Sequence, residues 1–216
     1  NGTGLLVANE IIPKRARILS ENIERMGIKN AIVTNESPDA LAKKYPAFFD
    51  KIIVDAPCSG EGMFRKEQKA IEDWSPEHVH SCALRQKNIL DSAVTMLKNG
   101  GILVYSTCTF SEEENEGAVE YLIDKYNLTV CKDNNGTPKI RHIYPHREKG
   151  EGHFAAVLKK NWGEAAPKQQ KSKPQNDDKL KYALKLYKDF EKNFLNTNID
   201  GEWVLFGDNL YLKPIC

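Results

Sequence analysis

From Gly4 to about Lys159, short apolar runs alternate with amphipathic stretches, the pattern of strand–helix units that build a parallel sheet. Four runs are predicted strands: Leu5 to Asn9, Ala31 to Thr34, Ile52 to Asp55 and Ile102 to Thr107. Each follows a Gly, an Asn or a polar turn. A weaker pair, Leu128 to Cys131 and Phe154 to Lys159, is placed at the far edge of the sheet. Pro13 in a first turn opens a helix to about Met26, with Gly27 at its left-handed exit. Ser75 caps a second helix; Pro76 and Glu77 suit its first turn, and its apolar positions run to Met96 and Leu97 before Asn99-Gly100-Gly101. Ser111 with Glu114 three residues later is the pattern of a capping box, opening a third helix to about Tyr126.

The pattern breaks near Asn161. Residues 163–178 are rich in Lys, Pro, Gln and Asn and poor in apolar positions, which reads as a linker. A helix from Asp178 to about Phe194 and two short strands, Glu202 to Phe206 and Asn209 to Lys213, follow it. The expected organisation is a partial catalytic α/β domain over 1–160, a linker over 161–178, and the start of a small α+β domain over 179–216. The chain opens at a turn before a buried strand, and about forty residues after the linker make a poor independent core, so it is read as a piece of a longer protein.

Composition narrows the class. Of 216 residues, 40% are apolar, and 31 basic against 30 acidic side chains leave a charge of +1, which excludes a uniformly basic nucleic-acid binder. The charge is uneven: residues 1–158 carry 20 basic and 22 acidic side chains, residues 159–192 ten Lys against five acids. That basic junction suits an extended polyanion or a solvated helix face. No apolar run approaches the ~20 residues of a membrane helix. Five scattered cysteines with no CxxC pair argue for a reducing, cytoplasmic interior and against structural zinc. His142, His146 and His153 lack carboxylate spacing for zinc, and His78 and His80, two apart, cannot share a helical face.

Two constellations carry chemistry. In Asp50-Lys-Ile-Ile-Val-Asp55-Ala-Pro-Cys58-Ser-Gly-Glu-Gly62 a predicted strand ends in an acid, a cysteine and a Gly-rich turn, and ligands of open α/β sheets bind beyond strand carboxyl ends. In Leu103-Val-Tyr-Ser-Thr-Cys108-Thr-Phe110 a second strand delivers a cysteine beside a helix N-terminus, which can lower a thiol pKa. One such cysteine is more often a small buried hydrophobe, but two strand ends of one parallel sheet can converge on a common crevice. Cys82, Cys131 and Cys216 are read as core or incidental. Glu112 to Glu114 are read as helix N-terminal acids. Arg65, Lys66 and Lys69, after the Gly-rich turn, fit RNA phosphates or a solvated helix face equally.

Asp55-Ala-Pro-Cys58-Ser-Gly-Glu-Gly, then Ser106-Thr-Cys108-Thr fifty residues after Cys58, then Glu112-Glu-Glu-Asn115-Glu116, closely resembles the Sun-type RNA cytosine-5 methyltransferases, the bacterial RsmF-like ribosomal RNA enzymes nearest. Trp74-Ser75-Pro76 and the stretch Arg15 to Gly27 fit the same family. The resemblance covers about residues 4–160. It implies a Rossmann-like methyltransferase domain that uses S-adenosyl-L-methionine and acts on RNA, 16S ribosomal RNA foremost, as a cytoplasmic monomer.

By the resemblance, Cys108 is the nucleophile that adds to carbon 6 of cytosine, and Cys58 helps to break the adduct after methyl transfer. Asp55 faces the base and the cofactor. Glu10, ending the first strand, accepts the ribose hydroxyls, and Ser37 stands where the family has an acid near the adenine. The family's first motif, a strand and Gly-rich turn cradling the methionine end of the cofactor, would lie before Asn1; the 216-residue chain is therefore expected to bind cofactor weakly or not at all. The region after Gly163 resembles the start of a PUA-like RNA-binding part. Alternatives are a transfer RNA cytosine-5 methyltransferase, a non-catalytic RNA-binding protein on the same fold, and an amino-group methyltransferase, whose Asp-Pro-Pro-aromatic loop Asp55-Ala-Pro-Cys58 loosely resembles.

Overall fold

A computed structural model describes residues 4–163 and 177–213. The chain forms two compact units, one of Asn1–Glu36 with Gln170–Cys216 and one of Ser37–Gln169. Most of the expected 161–178 linker therefore lies outside the described residues.

In the first unit β1 (Leu6–Asn9) and β2 (Ala31–Thr34) pair in parallel, Leu6 opposite Ala31 and Asn9 opposite Thr34, joined through α1 (Pro13–Arg25). Gly27 takes φ 65°, the left-handed conformation that lets the chain leave the helix without a Cβ clash. At the carboxyl ends of the two strands, Thr34 donates to Asn9 Oδ1 (2.8 Å), and Asn35 Nδ2 donates to the carbonyls of Glu10 and Ile11 (2.7 and 2.9 Å). In the same unit α6 (Asp177–Phe194) packs on a hairpin of β8 (Trp203–Phe206) and β9 (Asn209–Leu212), with Tyr187 and Trp203 ring centroids 4.3 Å apart.

The second unit holds the main sheet. β3 (Phe49–Asp55) and β4 (Leu97–Thr107) run parallel, Ile52 opposite Leu103 and Asp55 opposite Ser106. β7 (His153–Lys160) lies antiparallel on β4's other edge. Its own far edge is shared by β5 (Leu128–Val130) and β6 (Ile140–Ile143). Every strand of this sheet but β7 therefore points one way.

Helices α2 (Pro38–Lys44) and α4 (Pro76–Met96) start alike: Ser37 Oγ and Ser75 Oγ accept from the N–H three residues on, with proline next in line. α3 (Gln68–Asp73) is a short helix between β3 and α4. α4 and α5 (Glu116–Tyr126) bury Leu90, Val94, Ala118 and Leu122 against Leu103, Tyr105, Ala156 and Leu158 of the sheet. The half-buried Lys160 amine donates to the carbonyls of Val94 and Leu97 at the end of α4 (2.8 and 2.9 Å), where the helix dipole favours a cation, although burial pulls its pKa down. The expected strands are all present, β3, β4 and β7 longer than expected; α2, α3 and β6 were not foreseen. Helix α4 runs directly into β4 at Leu97, and Gly100 (φ 78°) lies within the strand instead of stopping the helix. Among the described residues no helix is long and apolar enough to cross a membrane.

Candidate active site

The parallel register of β3 and β4 sets the site. Asp55 stands opposite Ser106 at the carboxyl ends of both strands, and the ladder continues one step as Ala56 N–H donates to Ser106 O (2.9 Å). Each chain then turns, and the turns carry Cys58 and Cys108 to a sulfur–sulfur distance of 3.1 Å. Both are half-buried free thiols. Either sulfur can donate in this contact, and the Cys108 N–H also donates to Cys58 Sγ (3.3 Å); the bond to Cys58 lowers the Cys108 pKa from the ordinary thiol value of 9.0, against burial and the charge of Asp55. The same hydrogen bond, with burial and the Cys108 charge, pushes Cys58 far up. Of the two, Cys108 is thus the more readily ionised thiol and Cys58 the less acidic one. Asp55 is exposed, its Oδ1 accepting from Ser106 Oγ (3.3 Å).

Two adjacent residues after β4 hold both turns. Glu114 and Asn115 are 0% exposed. Glu114 accepts from the Ser59 N–H (3.0 Å) and hydroxyl (2.5 Å), and from Gln86 Nε2 (2.7 Å), whose amide also donates to Pro57 O. Asn115 Oδ1 accepts from Thr107 Oγ1 (2.6 Å), and its Nδ2 donates to Thr109 O (3.1 Å). One residue therefore fixes the turn of Cys58 and its neighbour the turn of Cys108.

The capping box is corrected here. Ser111 Oγ does accept from the Glu114 N–H (3.4 Å), but the Glu114 carboxylate turns inward instead of back to Ser111, and α5 begins only at Glu116. A signal was present in the sequence. Glu114 leads Ala118 and Leu122 in steps of four, and Asn115 leads Val119, so both polar residues sit on the stripe that faces the core.

Glu61 ties the loops from the other side. Its Oε2 accepts from Phe110 N–H (3.0 Å) and Thr109 Oγ1 (3.2 Å), its Oε1 from Trp74 Nε1 (2.9 Å). The Gly-rich turn is needed for close approach of backbones: Gly62 N–H donates to Cys108 O (2.8 Å), and a Cβ on Gly62 would lie 2.7 Å from that oxygen.

The other expected residues fall outside this cluster. In the first unit, Glu10 accepts from Ile12 N–H (3.0 Å) and pairs with Arg15 (3.0 Å). Ser37 caps α2, accepting from Ala40 N–H (3.3 Å). For S-adenosylmethionine the donor sets fit: Glu10 and Asp55 are carboxylates with lone pairs left for ribose hydroxyls or an ammonium, and the Ser37 hydroxyl keeps its proton to donate. Cys82 is buried in α4 and Cys131 half-buried after β5, while Cys216 lies outside the described residues, as does part of the basic junction. His80 pairs with Glu113 (2.7 Å) and His142 with Glu116 (2.6 Å); no group of residues suited to a metal occurs among the described residues. Arg65 and Lys66 pair with Glu151 (3.1 and 3.8 Å).

The thiol pair makes a pH prediction. Cys58→Ala removes the partner that lowers the Cys108 pKa, so the thiolate should form only at higher pH. The rate of Cys108 alkylation by iodoacetamide, followed by peptide mass spectrometry across pH 6–10, is expected to shift its midpoint upward relative to the parent.

Comparisons place this geometry among known proteins. The family model for 16S rRNA methyltransferase RsmB/F matches residues 1–159. The ribosomal RNA small subunit methyltransferase F of Vibrio vulnificus is 39% identical over 171 residues, covering 74% of this chain and 36% of that protein. Its counterpart in Psychromonas ingrahamii is 35% identical over 228 aligned positions, covering 99% and 47%. The chain thus spans less than half the length of these relatives. Among solved structures, NSun6 from Pyrococcus horikoshii with SFG superposes at a TM-score of 0.66 with 33% identity, over 75% of this chain and 43% of that one. A methyltransferase homologue from the same organism gives 0.59 with 27% identity, over 74% and 54%. The shared architecture is the Rossmann-like methyltransferase fold.

Proposed function

Because the chain belongs to the RsmB/F family of 16S rRNA methyltransferases, whose cofactor is S-adenosylmethionine, we propose that it methylates carbon 5 of cytosine in 16S ribosomal RNA through a covalent adduct on Cys108. The observation that carries this reading is the pair of sulfurs 3.1 Å apart at neighbouring strand ends, with the Cys108 pKa shifted down and that of Cys58 up.

Carbon 5 of cytosine is a poor nucleophile. The Cys108 thiolate attacks carbon 6, the carbon 5–carbon 6 π pair shifts to carbon 5–carbon 4 and the carbon 4–N3 π pair onto N3, which takes up a proton, and carbon 5 of the resulting enamine is nucleophilic. Asp55, exposed beside the thiols, accepts hydrogen bonds from the amino edge of the base and supports the charge change at the ring nitrogen. The cofactor supplies an electrophilic methyl group. Glu10 would hold its ribose, with Ser37 and Asp55 as further contacts.

After methylation, carbon 5 must lose its hydrogen as a proton and the carbon 6–sulfur bond must break. Once the Cys108 sulfur is bonded to carbon it no longer carries the charge that holds Cys58 as a thiol. Cys58 then releases its proton to water, takes the carbon 5 proton as a thiolate, and the electron pair left behind expels the Cys108 thiolate. Amino-group methylation needs neither sulfur.

Ribosomal RNA incubated with S-adenosylmethionine and the full-length protein that contains this chain, then digested to nucleosides, is expected to yield 5-methylcytidine by mass spectrometry. A product methylated on the exocyclic amine would overturn the reading.

A further inference from the structure

The sheet unit carries a second feature that the thiol chemistry does not use. Residues 145–150 and Arg65 line an open cavity of about 440 Å³. Its charge is unbalanced. Glu151 is occupied by Arg65 and Lys66, and Glu148 by Arg141 (2.6 Å). Arg147 and Lys149 are exposed and have no carboxylate partner among the described residues. Arg147 is held in place without losing its charge: its guanidinium lies 5.5 Å over the Tyr144 ring, and its Nε donates to His146 (3.2 Å), leaving both terminal nitrogens available.

The cavity is built onto the thiol loops. Arg65 Nη2 donates to Gly150 O (2.7 Å), so the Gly-rich loop after Cys58 grips the cavity wall. Two residues on, Gly152 lies so close to the Phe110 ring that a Cβ there would be 2.1 Å from it, and 2.9 Å from Gly62 Cα. Tyr144 stacks on Phe110, centroids 5.6 Å apart. Phe110 follows Cys108 by two residues, so the cationic wall adjoins the reacting sulfur's own loop.

Resting on the function proposed above, we infer that Arg147 and Lys149, on a wall braced by Arg65, form a phosphate-binding site for the RNA strand that carries the target cytosine. A base whose carbon 6 meets Cys108 must leave its stack, and the backbone on either side then needs a cationic hold beside the catalytic loops. A planar guanidinium with both terminal nitrogens free beside a flexible ammonium suits a phosphodiester. The placement also explains how a chain whose first 158 residues carry more acid than base can take up a polyanion.

The test is RNA binding by the chain, read as anisotropy of a fluorescent single-stranded 12-mer over a salt series, for the parent, Arg147→Ala/Lys149→Ala and Arg147→Lys. The double variant should bind about tenfold more weakly. The slope of log K against log salt should fall in magnitude by about 1.4, since each lost phosphate contact on single strands removes about 0.7. Arg147→Lys should keep most of the slope, and the rate of Cys108 alkylation should be unchanged in all three. A parent that binds RNA together with a double variant of the same affinity and slope would overturn the site while leaving the proposed function standing. Loss of Cys108 reactivity in the double variant would make these residues props of the loop and overturn it too. A parent that binds no RNA at all would bring down the proposed function with it.

Discussion

In the full-length protein, Cys108→Ala is expected to abolish methyl transfer to RNA, a loss of about ten-thousand-fold or more, because without the sulfur nothing creates a nucleophile at carbon 5. The partner substitution should behave differently. In Cys58→Ala the Cys108 thiolate forms at higher pH, so addition slows, but each adduct that is methylated lacks the base that removes the carbon 5 proton. Protein covalently joined to RNA should therefore accumulate and appear as a slow band on a denaturing gel. With Cys108→Ala, alone or combined with Cys58→Ala, that band should be absent. A Cys108→Ala protein that methylates as well as its parent would exclude the covalent route.

The second large effect belongs to Glu114. Replacing it with Ala removes the acceptor of the buried Ser59 N–H, takes one of two partners from the Gln86 amide, and opens a cavity between α4 and the Cys58 turn. Each buried donor left without a partner costs roughly 1–3 kcal/mol, so a total of about 3–4 kcal/mol is expected. For a chain of this size that lowers the melting temperature by about 6–16 °C. Glu114→Gln keeps the shape and one acceptor and should fall between.

Glu114 also sets a pH trend. Burial raises its pKa above the ordinary 4.5, outweighing the pull of Ser59 and Gln86, while the Glu61 charge adds to the rise. An acid with a raised native pKa contributes stability that is full below 4.5 and lost as pH climbs through the native value. The stability of the parent minus that of Glu114→Gln, from calorimetric melting at several pH values, should therefore decline as pH rises from 4.5. A difference that grows instead would mean that the carboxylate is stabilised, not strained, by its surroundings.

Much of the architecture was legible locally. Apolar runs mark β1, β2 and β3, because strands of a parallel sheet read as near-continuous apolar stretches, although Leu6, Ile32 and Ile53 are exposed here. Ser75-Pro76 and Gly27 mark helix ends because caps and left-handed exits are satisfied within a few residues of chain. The two cysteines stood out as thiols placed at the ends of such strands. β6 was missed for the opposite reason. Ile140-Arg-His-Ile143 is weak as an isolated strand and is held by its pairing with β7, with His142 opposite Phe154.

The site divides along the same line. That Cys58 and Cys108 end strands, with Asp55 three residues ahead of one of them, is a property of short segments and was determined by sequence. That the Cys108 pKa is lowered depends on a sulfur fifty residues away, at 3.1 Å, and only the parallel pairing of β3 with β4 brings that sulfur there. Glu114 shows the same limit most sharply. Locally its best partner is the cap at Ser111; in the folded chain it instead meets the buried Ser59 N–H and Gln86, donors that would otherwise go unpaired away from water. Hydrogen bonds within a few residues can be foreseen from spacing, whereas the cost of an unpaired buried donor exists only once the tertiary structure has excluded water.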